Sequence, residues 1–459
     1  MSSTLPPKDN VEQKSLNLPP TDHEPAAYSG PSKSEVLRKR QAYVNPAIFH
    51  YYADDPLMIV EGHRQYLYDE TGRRYLDGFA GIVTVSVGHS HPKVIAAAQR
   101  QLDVLQHTTT IYLHPNIAEY AERLASKLPE PLNRCYFVNS GSEANELAIL
   151  MSRAHTGNHD VIALRNGYHG GSGLTMALTS HHTWKYNLPA AAGIQHALCP
   201  DRLRGPYGYD DSEAGAKYAG DVLDLIRFGT SGQVAAFIAE SIQGVGGAVV
   251  HPEGYLRCVY EHVRAHGGVC IADEVQSGFG RTGTQFWGFQ TQDVTPDLVV
   301  MAKGIGNGAP LGAVVTTDEI AQNMTDRIHF NTYGGNPVSM AQASAVLEVI
   351  DEEGLQENSH RVGGYLKQKL EGLQECHEAI GDVRGMGLML GVELVSDRET
   401  MEPNSALAGR VVSLCREFGL LLGKGGLAGN VLRIKPPMCI TQQDAEFMTA
   451  CIDKALSEA

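Results

Sequence analysis

A series of short, almost uninterrupted apolar segments runs through the middle of this 459-residue chain. They are Cys135-Tyr136-Phe137-Val138, Val161–Leu164, Val234–Ala239, Val269–Val275, Leu298–Met301 and Leu311–Thr316. Strands with no polar alternation belong in a sheet covered on both faces. Most of these segments are separated by stretches of helical character, which implies parallel neighbours. The flanks differ. Ser32–Arg40 is a polar helix-like stretch, and residues 56–77 read as short antiparallel strands. Their pieces are Ile59-Val60, Tyr66–Tyr68 and Arg74–Asp77, with a turn at Asp69-Glu70-Thr71-Gly72. After Gly335-Asn336-Pro337 the pattern is helical to about Leu370. Short strands follow near Leu388–Glu393 and Leu432–Ile434, with closing helices. The expected architecture is α/β. A flexible arm spans 1–31, a large and mostly parallel α/β domain spans 80–333, and a smaller α+β domain is built from 32–79 and 334–459.

Composition narrows the function. Lys and Arg number 37 against 52 Asp and Glu, a net of −15, which disfavours binding to a phosphate backbone. No run of about 18 apolar residues suggests a membrane span. The eight cysteines are scattered, with no C-x-x-C pair, as in a reducing compartment. The first thirty residues carry neither an apolar signal core nor an arginine, so neither a secretory nor a typical mitochondrial leader is evident and a cytoplasmic location is expected. His89-Ser90-His91 lacks the supporting Cys or carboxylates of a metal site, and no metal is expected.

Four stretches carry chemistry. In Val269–Gln276 an acid, Asp273, ends a buried strand, where α/β sheets bind ligands; a salt-bridged strand end is its plain structural reading. In Met301-Ala302-Lys303-Gly304 a lysine ends another apolar strand. A desolvated amine has a lowered pKa and forms Schiff bases, although a lysine with its head in solvent would leave the same trace. Ser140-Gly141-Ser142-Glu143 has capping-box spacing before a helical pattern. Ser140 would cap the Glu143 N–H and leave the amides of Gly141 and Ser142 free for a phosphate, or simply begin an ordinary helix. Asn166–Gly171 sets Tyr168 among glycines, able to face a planar ligand or to sit in the core.

Taken together, the four ask for one ligand: a cationic ring with an aldehyde and a phosphate arm, which is pyridoxal phosphate. Asp273 would keep the ring nitrogen protonated and Lys303 would form the Schiff base. Gly141 and Ser142 would take the phosphate, Val275 and Tyr168 would sandwich the ring, and Gln276 would reach its phenolic oxygen.

The sequence resembles the class III aminotransferases, of fold type I among pyridoxal-phosphate enzymes, and within them the alanine–glyoxylate aminotransferase 2 type. The stretches that carry the resemblance are Gly81–Pro92 (GIVTVSVGHSHP), Val138–Glu146 (VNSGSEANE), Gly267–Gly283 (GGVCIADEVQSGFGRTG), Met301–Gly308 (MAKGIGNG), Phe330–Pro337 (FNTYGGNP) and Gly381–Gly391 (GDVRGMGLMLG). It implies the roles just argued for Lys303, Asp273, Gln276, Gly141, Ser142 and Tyr168. It also implies that Thr332 reaches the phosphate of a neighbouring subunit, in a homodimer or homotetramer. Related enzymes are often mitochondrial, so the mitochondrial matrix is the alternative compartment.

For the substrate, Arg433 in Val431–Pro437 is the candidate carboxylate fork, the part its equivalent takes in relatives. The resemblance makes Glu240 its switching partner when an ω-amino substrate is bound. Ser241 and Val245 depart from the commonest class III pattern and weaken any transfer of specificity from ornithine or 4-aminobutyrate enzymes. A small pocket near Ile82 and Val83 would suit short side chains. The expected reaction is ping-pong, with alanine as donor and glyoxylate as acceptor; pyruvate with an ω-amine such as β-alanine comes next. An aminomutase, racemase or decarboxylase on the same fold is the alternative, and a catalytically dead relative the remoter one.

Overall fold

The computed structural model describes residues 16–53 and 55–459. A seven-stranded sheet has the order Arg134–Val138, Gly312–Thr316, Leu298–Met301, Val269–Asp273, Ala236–Glu240, Val161–Leu164, Ile194–Ala197. Gly312–Thr316 runs antiparallel to both neighbours, and every other pair is parallel. The exception has a local cause. Residues 302–311 hold only the 3₁₀ turn Lys303–Ile305, too little for a crossover helix, so the chain doubles back. Ile194–Ala197 escaped the apolar pattern because it is an edge strand, where Gln195 and His196 are only half covered.

Side chains alternate across this sheet. Ile238, Ile271 and Val300 pack on one face with Ala144, Leu147 and Ala148 of the helix Gly141–Thr156. Phe237, Cys270 and Ile162 pack on the other with the helices Ala214–Gly229 and Tyr255–Ala265. The two ends of the chain meet in a second sheet: Ile59–His63, Tyr66–Asp69 and Arg74–Asp77 are completed by Leu420–Leu421. A third sheet holds Ile380–Met386, Met389–Leu394, Val431–Ile434 and Gly423–Gly425. The helical run after Pro337 is two helices, Pro337–Glu352 and Leu355–Cys376. Gly354, at φ 61°, turns the chain between them.

Of the expected arm, residues 1–15 lie outside the described residues. Residues 16–31 are held rather than loose: Leu16 and Leu18 pack on the core, and the His23 ring stacks on His63 at 4.2 Å. Arg74 also donates to the carbonyl of Pro19 at 2.7 Å. Among the described residues no helix is long and apolar enough to cross a membrane, and no cluster of His, Cys, Asp or Glu could hold a metal ion.

Candidate active site

The carboxyl edge of the large sheet brings the chemistry together. Asp273 and Glu240 end adjacent parallel strands in register, and Lys303 follows the next strand, Leu298–Met301. Opposite them begins the helix Gly141–Thr156. Ser140 Oγ accepts from the Glu143 N–H at 3.2 Å, and the Glu143 carboxylate accepts from the Asn139 N–H at 3.0 Å. The first amides of the helix are thereby left to an anion. A cavity of about 190 Å³ lies between. Gly141, Ser142, Tyr168, Glu240, Asp273, Val275, Gln276 and Lys303 all border it. A side chain at position 141 would sit 3.3 Å from Val275, so the glycine keeps the passage to the helix terminus open.

Asp273 is 3% exposed and holds its charge. Burial works against ionisation, but a hydrogen bond and charge from His169 oppose it. Bonds from the Asn145 amide and the Val275 N–H add to these, and the carboxyl titrates below its ordinary range. The His169 Nδ1 contact is 2.7 Å and the Asn145 Nδ2 contact 2.9 Å. His169 answers in kind: burial lowers its pKa, yet Asp273 outweighs burial and raises it. Lys303 sits at φ 52°, a strained backbone for a lysine. Enclosure by protein lowers its amine to about 8, against the pull of Asp273 and Glu240. Burial and the charge of Asp273 push Glu240 up. Its carboxylate accepts from the N–H groups of Tyr168 (3.0 Å) and Gly244 (2.8 Å).

Arg433 reaches the cavity through Gln276, donating from Nη2 to Oε1 at 3.1 Å. It lies over the Phe79 ring at 5.0 Å. Gly425 makes its berth, since a Cβ there would fall 2.4 Å from the arginine Cδ. Arg433 Nε is buried and has no hydrogen-bond partner among the described residues. Without a substrate Glu240 and Arg433 do not pair directly, because the Gln276 amide stands between them, its Nε2 3.4 Å from Glu240. Ile82 and Val83 do not border the cavity. They fall in a left-handed turn, Ala80–Val83, with φ from 52° to 65°, and Ile82 is half exposed while Val83 is buried. Thr332 is exposed and does not border this chain's own cavity.

Sequence reasoning missed three residues. Asn145 and His169 were passed over although they are the partners of Asp273. Asn145 stands four residues after Gly141 on the same helix face, which was the available signal. Lys435 stands two residues after Arg433, just past the end of the strand Val431–Ile434, and both side chains donate to Gln276 Oε1.

These groups suit one kind of cofactor. A buried, ionised aspartate matches a protonated ring nitrogen, an enclosed amine near neutrality matches an aldehyde, and a helix terminus matches a phosphate. An unpartnered guanidinium N–H nearby suits a substrate carboxylate. The arrangement is that of a pyridoxal-phosphate enzyme of fold type I. The chain belongs to the class III aminotransferases: the Aminotransferase class-III family profile matches residues 50–456. It is an aminotransferase with pyridoxal phosphate as cofactor and amino and keto acids as substrates.

The chain is 52% identical to alanine–glyoxylate aminotransferase 2 homolog 2, mitochondrial, of Arabidopsis thaliana, over all of this chain and 94% of that protein. It is 47% identical to human mitochondrial alanine–glyoxylate aminotransferase 2, over 96% of this chain and 90% of that one. Among solved structures, an Arthrobacter phospholyase in complex with phosphoethanolamine superposes with a TM-score of 0.86 at 34% identity, covering 92% of this chain and all of that one. A Bacillus anthracis aminotransferase reaches 0.87 at 32% identity, covering 93% and 98%.

Proposed function

We propose that the chain moves the amino group of a small amino acid, alanine first, to glyoxylate, in two half-reactions at one site. The printed names of the Arabidopsis and human relatives support the substrate pair. One structural observation carries the carboxylate specificity: Arg433 is enclosed, charged and holds an unused N–H. A guanidinium in that state recognises a carboxylate, because an unpaired buried donor is costly.

Bound pyridoxal phosphate supplies an electron sink for the carbanion that forms when the donor loses its Cα proton. The rest is done by side chains. Gly141 and Ser142 offer amides to the phosphate, and Tyr168 and Val275 confine the ring. Asp273, kept anionic by His169 and Asn145, holds a proton on the ring nitrogen, and Gln276 stands beside the phenolic oxygen. Lys303 Nζ, poised near neutrality, would take the proton from the donor Cα and return it two atoms further on, at the carbon that carried the cofactor's aldehyde. Arg433 orients the donor through its α-carboxylate.

A second substrate reading, an ω-amine such as β-alanine with pyruvate, is supported by Glu240. It lies one amide away from Arg433 and could pair with it when no α-carboxylate is present. We read the working unit as a homodimer or homotetramer, with Thr332 reaching the phosphate in the partner. The exposed Ile111, Tyr112, Leu113, Ile328, Phe330 and Tyr333 support it, since apolar patches of that kind mark interfaces. The division into 32–79 with 334–459 and 80–333 remains our reading of the domains. Of the two expected compartments, the mitochondrial one is supported by the relatives' names. A donor–acceptor matrix scored by half-reaction spectra tests the substrate reading. Alanine and glyoxylate should lead, and turnover of ω-amines alone would defeat it.

A further inference from the structure

Among the described residues Lys435 has no carboxylate partner, and it is fully buried. Its Nζ donates to the Gly244 carbonyl at 3.1 Å and to Gln276 Oε1 at 3.2 Å. Gln276 Oε1 accepts from Arg433 Nη2 as well, at 3.1 Å. The other end of the amide, Nε2, faces Glu240. Flipped, the amide would set its NH₂ against two donors and its oxygen against a carboxylate, so the network admits one orientation. Gly244 ties both ends: its N–H goes to Glu240 at 2.8 Å and its carbonyl to Lys435. Only glycine leaves room there, because a Cβ would lie 2.3 Å from Gln276 Oε1. Burial and the neighbouring charge of Arg433 push the Lys435 amine well below the usual lysine value, with Glu240 pulling the other way.

We propose that Lys435 is a positioning residue for carboxylate recognition: it locks the Gln276 amide as a neutral spacer that keeps Arg433 from closing onto Glu240. The proposal rests on the reading of Arg433 as carboxylate holder. Without Lys435 the amide carbonyl keeps one donor instead of two, and the direct Arg433–Glu240 pair competes with the substrate.

The test is calorimetric binding of propionate, a carboxylate with no amino group to transfer, to the cofactor-loaded protein. Lys435→Met keeps the volume, and Lys435→Leu serves if the Met variant does not fold. Loss of one such hydrogen bond should weaken propionate about tenfold. The KM for alanine should rise by the same factor while kcat stays within about twofold. In a Glu240→Ala background the Lys435 substitution should cost nothing further. Unchanged propionate binding, an equal loss in the Glu240→Ala background, or a fall in kcat in place of KM would each overturn the proposal. Arg433→Gln separates it from its premise: if that variant binds propionate like the wild type, the Arg433 reading itself fails, whatever Lys435 does.

Discussion

The two walls of the cavity are built on opposite principles. On one, Asp273 is close to saturated: His169 and Asn145 donate to Oδ2 and the Val275 N–H to Oδ1, which leaves one acceptor site for a ring N–H. On the other, Arg433 and Lys435 share the Gln276 carbonyl oxygen, and Arg433 Nε has no partner among the described residues. A saturated charge keeps one protonation state whatever enters, which suits a group that holds a cofactor through every turnover. An unsaturated cation gains most when an anion arrives, which suits a group that must bind and release substrates of two kinds. Lys303, strained and near neutrality, stands between the two walls.

That contrast orders the expected effects. Lys303→Ala removes both the attachment and the proton carrier. General acid–base catalysis alone contributes about 10²–10⁴-fold, so the half-reaction with alanine should fall by at least about 10⁴-fold in single-turnover absorbance. A loss under about tenfold would shift the chemistry to another base. Arg433→Gln should lower kcat/KM for alanine by about 10²-fold, since charged hydrogen bonds are worth roughly 1.5–3 kcal/mol. Its affinity for pyridoxal phosphate should stay within about twofold. If cofactor affinity falls in step, the two walls are not separate devices.

The converse substitution falls on the other wall. His169→Leu takes one donor from Asp273 and lets burial raise its pKa. The Kd for pyridoxal phosphate, read by fluorescence titration, should rise about tenfold or more. Propionate binding at saturating cofactor should hold. Loss of propionate binding with intact cofactor affinity would invert the assignment of the walls.

The saturated wall was half legible in the sequence. Asp273 and Lys303 stand out because an acid and a lysine each end an apolar strand, a costly place for a charge. Ser140 and Glu143 announce the helix start by their spacing. Asn145 was legible only as a residue on the helix face of Gly141 and His169 not at all, because a contact to Asp273 across more than a hundred residues is set by how strands and helix stack. Lys435 was hidden for a related reason: one lysine beside Pro436 and Pro437 resembles a surface strand end, and only the burial of the third sheet gives it meaning. The left-handed turn at Ala80–Val83 could not be read either, since Ile and Val disfavour positive φ and only tertiary packing can hold them there. In the large sheet both edge strands are only partly buried, but Arg134–Val138 keeps an apolar run and was legible, whereas Gln195 and His196 break the run of Ile194–Ala197 and hid it.

The smallest expected effect concerns the residue between the walls. With its amine near 8, Lys303 is mostly protonated at pH 7 and mostly neutral at pH 9. Only the neutral amine is a nucleophile, so the rate at which cofactor-free protein takes up pyridoxal phosphate should rise up to about tenfold across that range, with a midpoint near 8. A midpoint near the ordinary lysine value of 10.5 would mean that enclosure does not act on the amine. The sign of the stability effect follows from the same shift. Between pH 8 and 10.5 the unfolded chain binds more protons at this position than the folded one, so the Lys303 contribution to stability grows as pH rises through that window. His169→Leu should move the uptake midpoint down, because a less firmly ionised Asp273 pulls less on the Lys303 proton. Arg433→Gln should move it up, because Arg433 is the cation that depresses that amine. Opposite displacements from the two walls would show that Lys303 is set by both, and displacement in the same direction would show that one wall dominates.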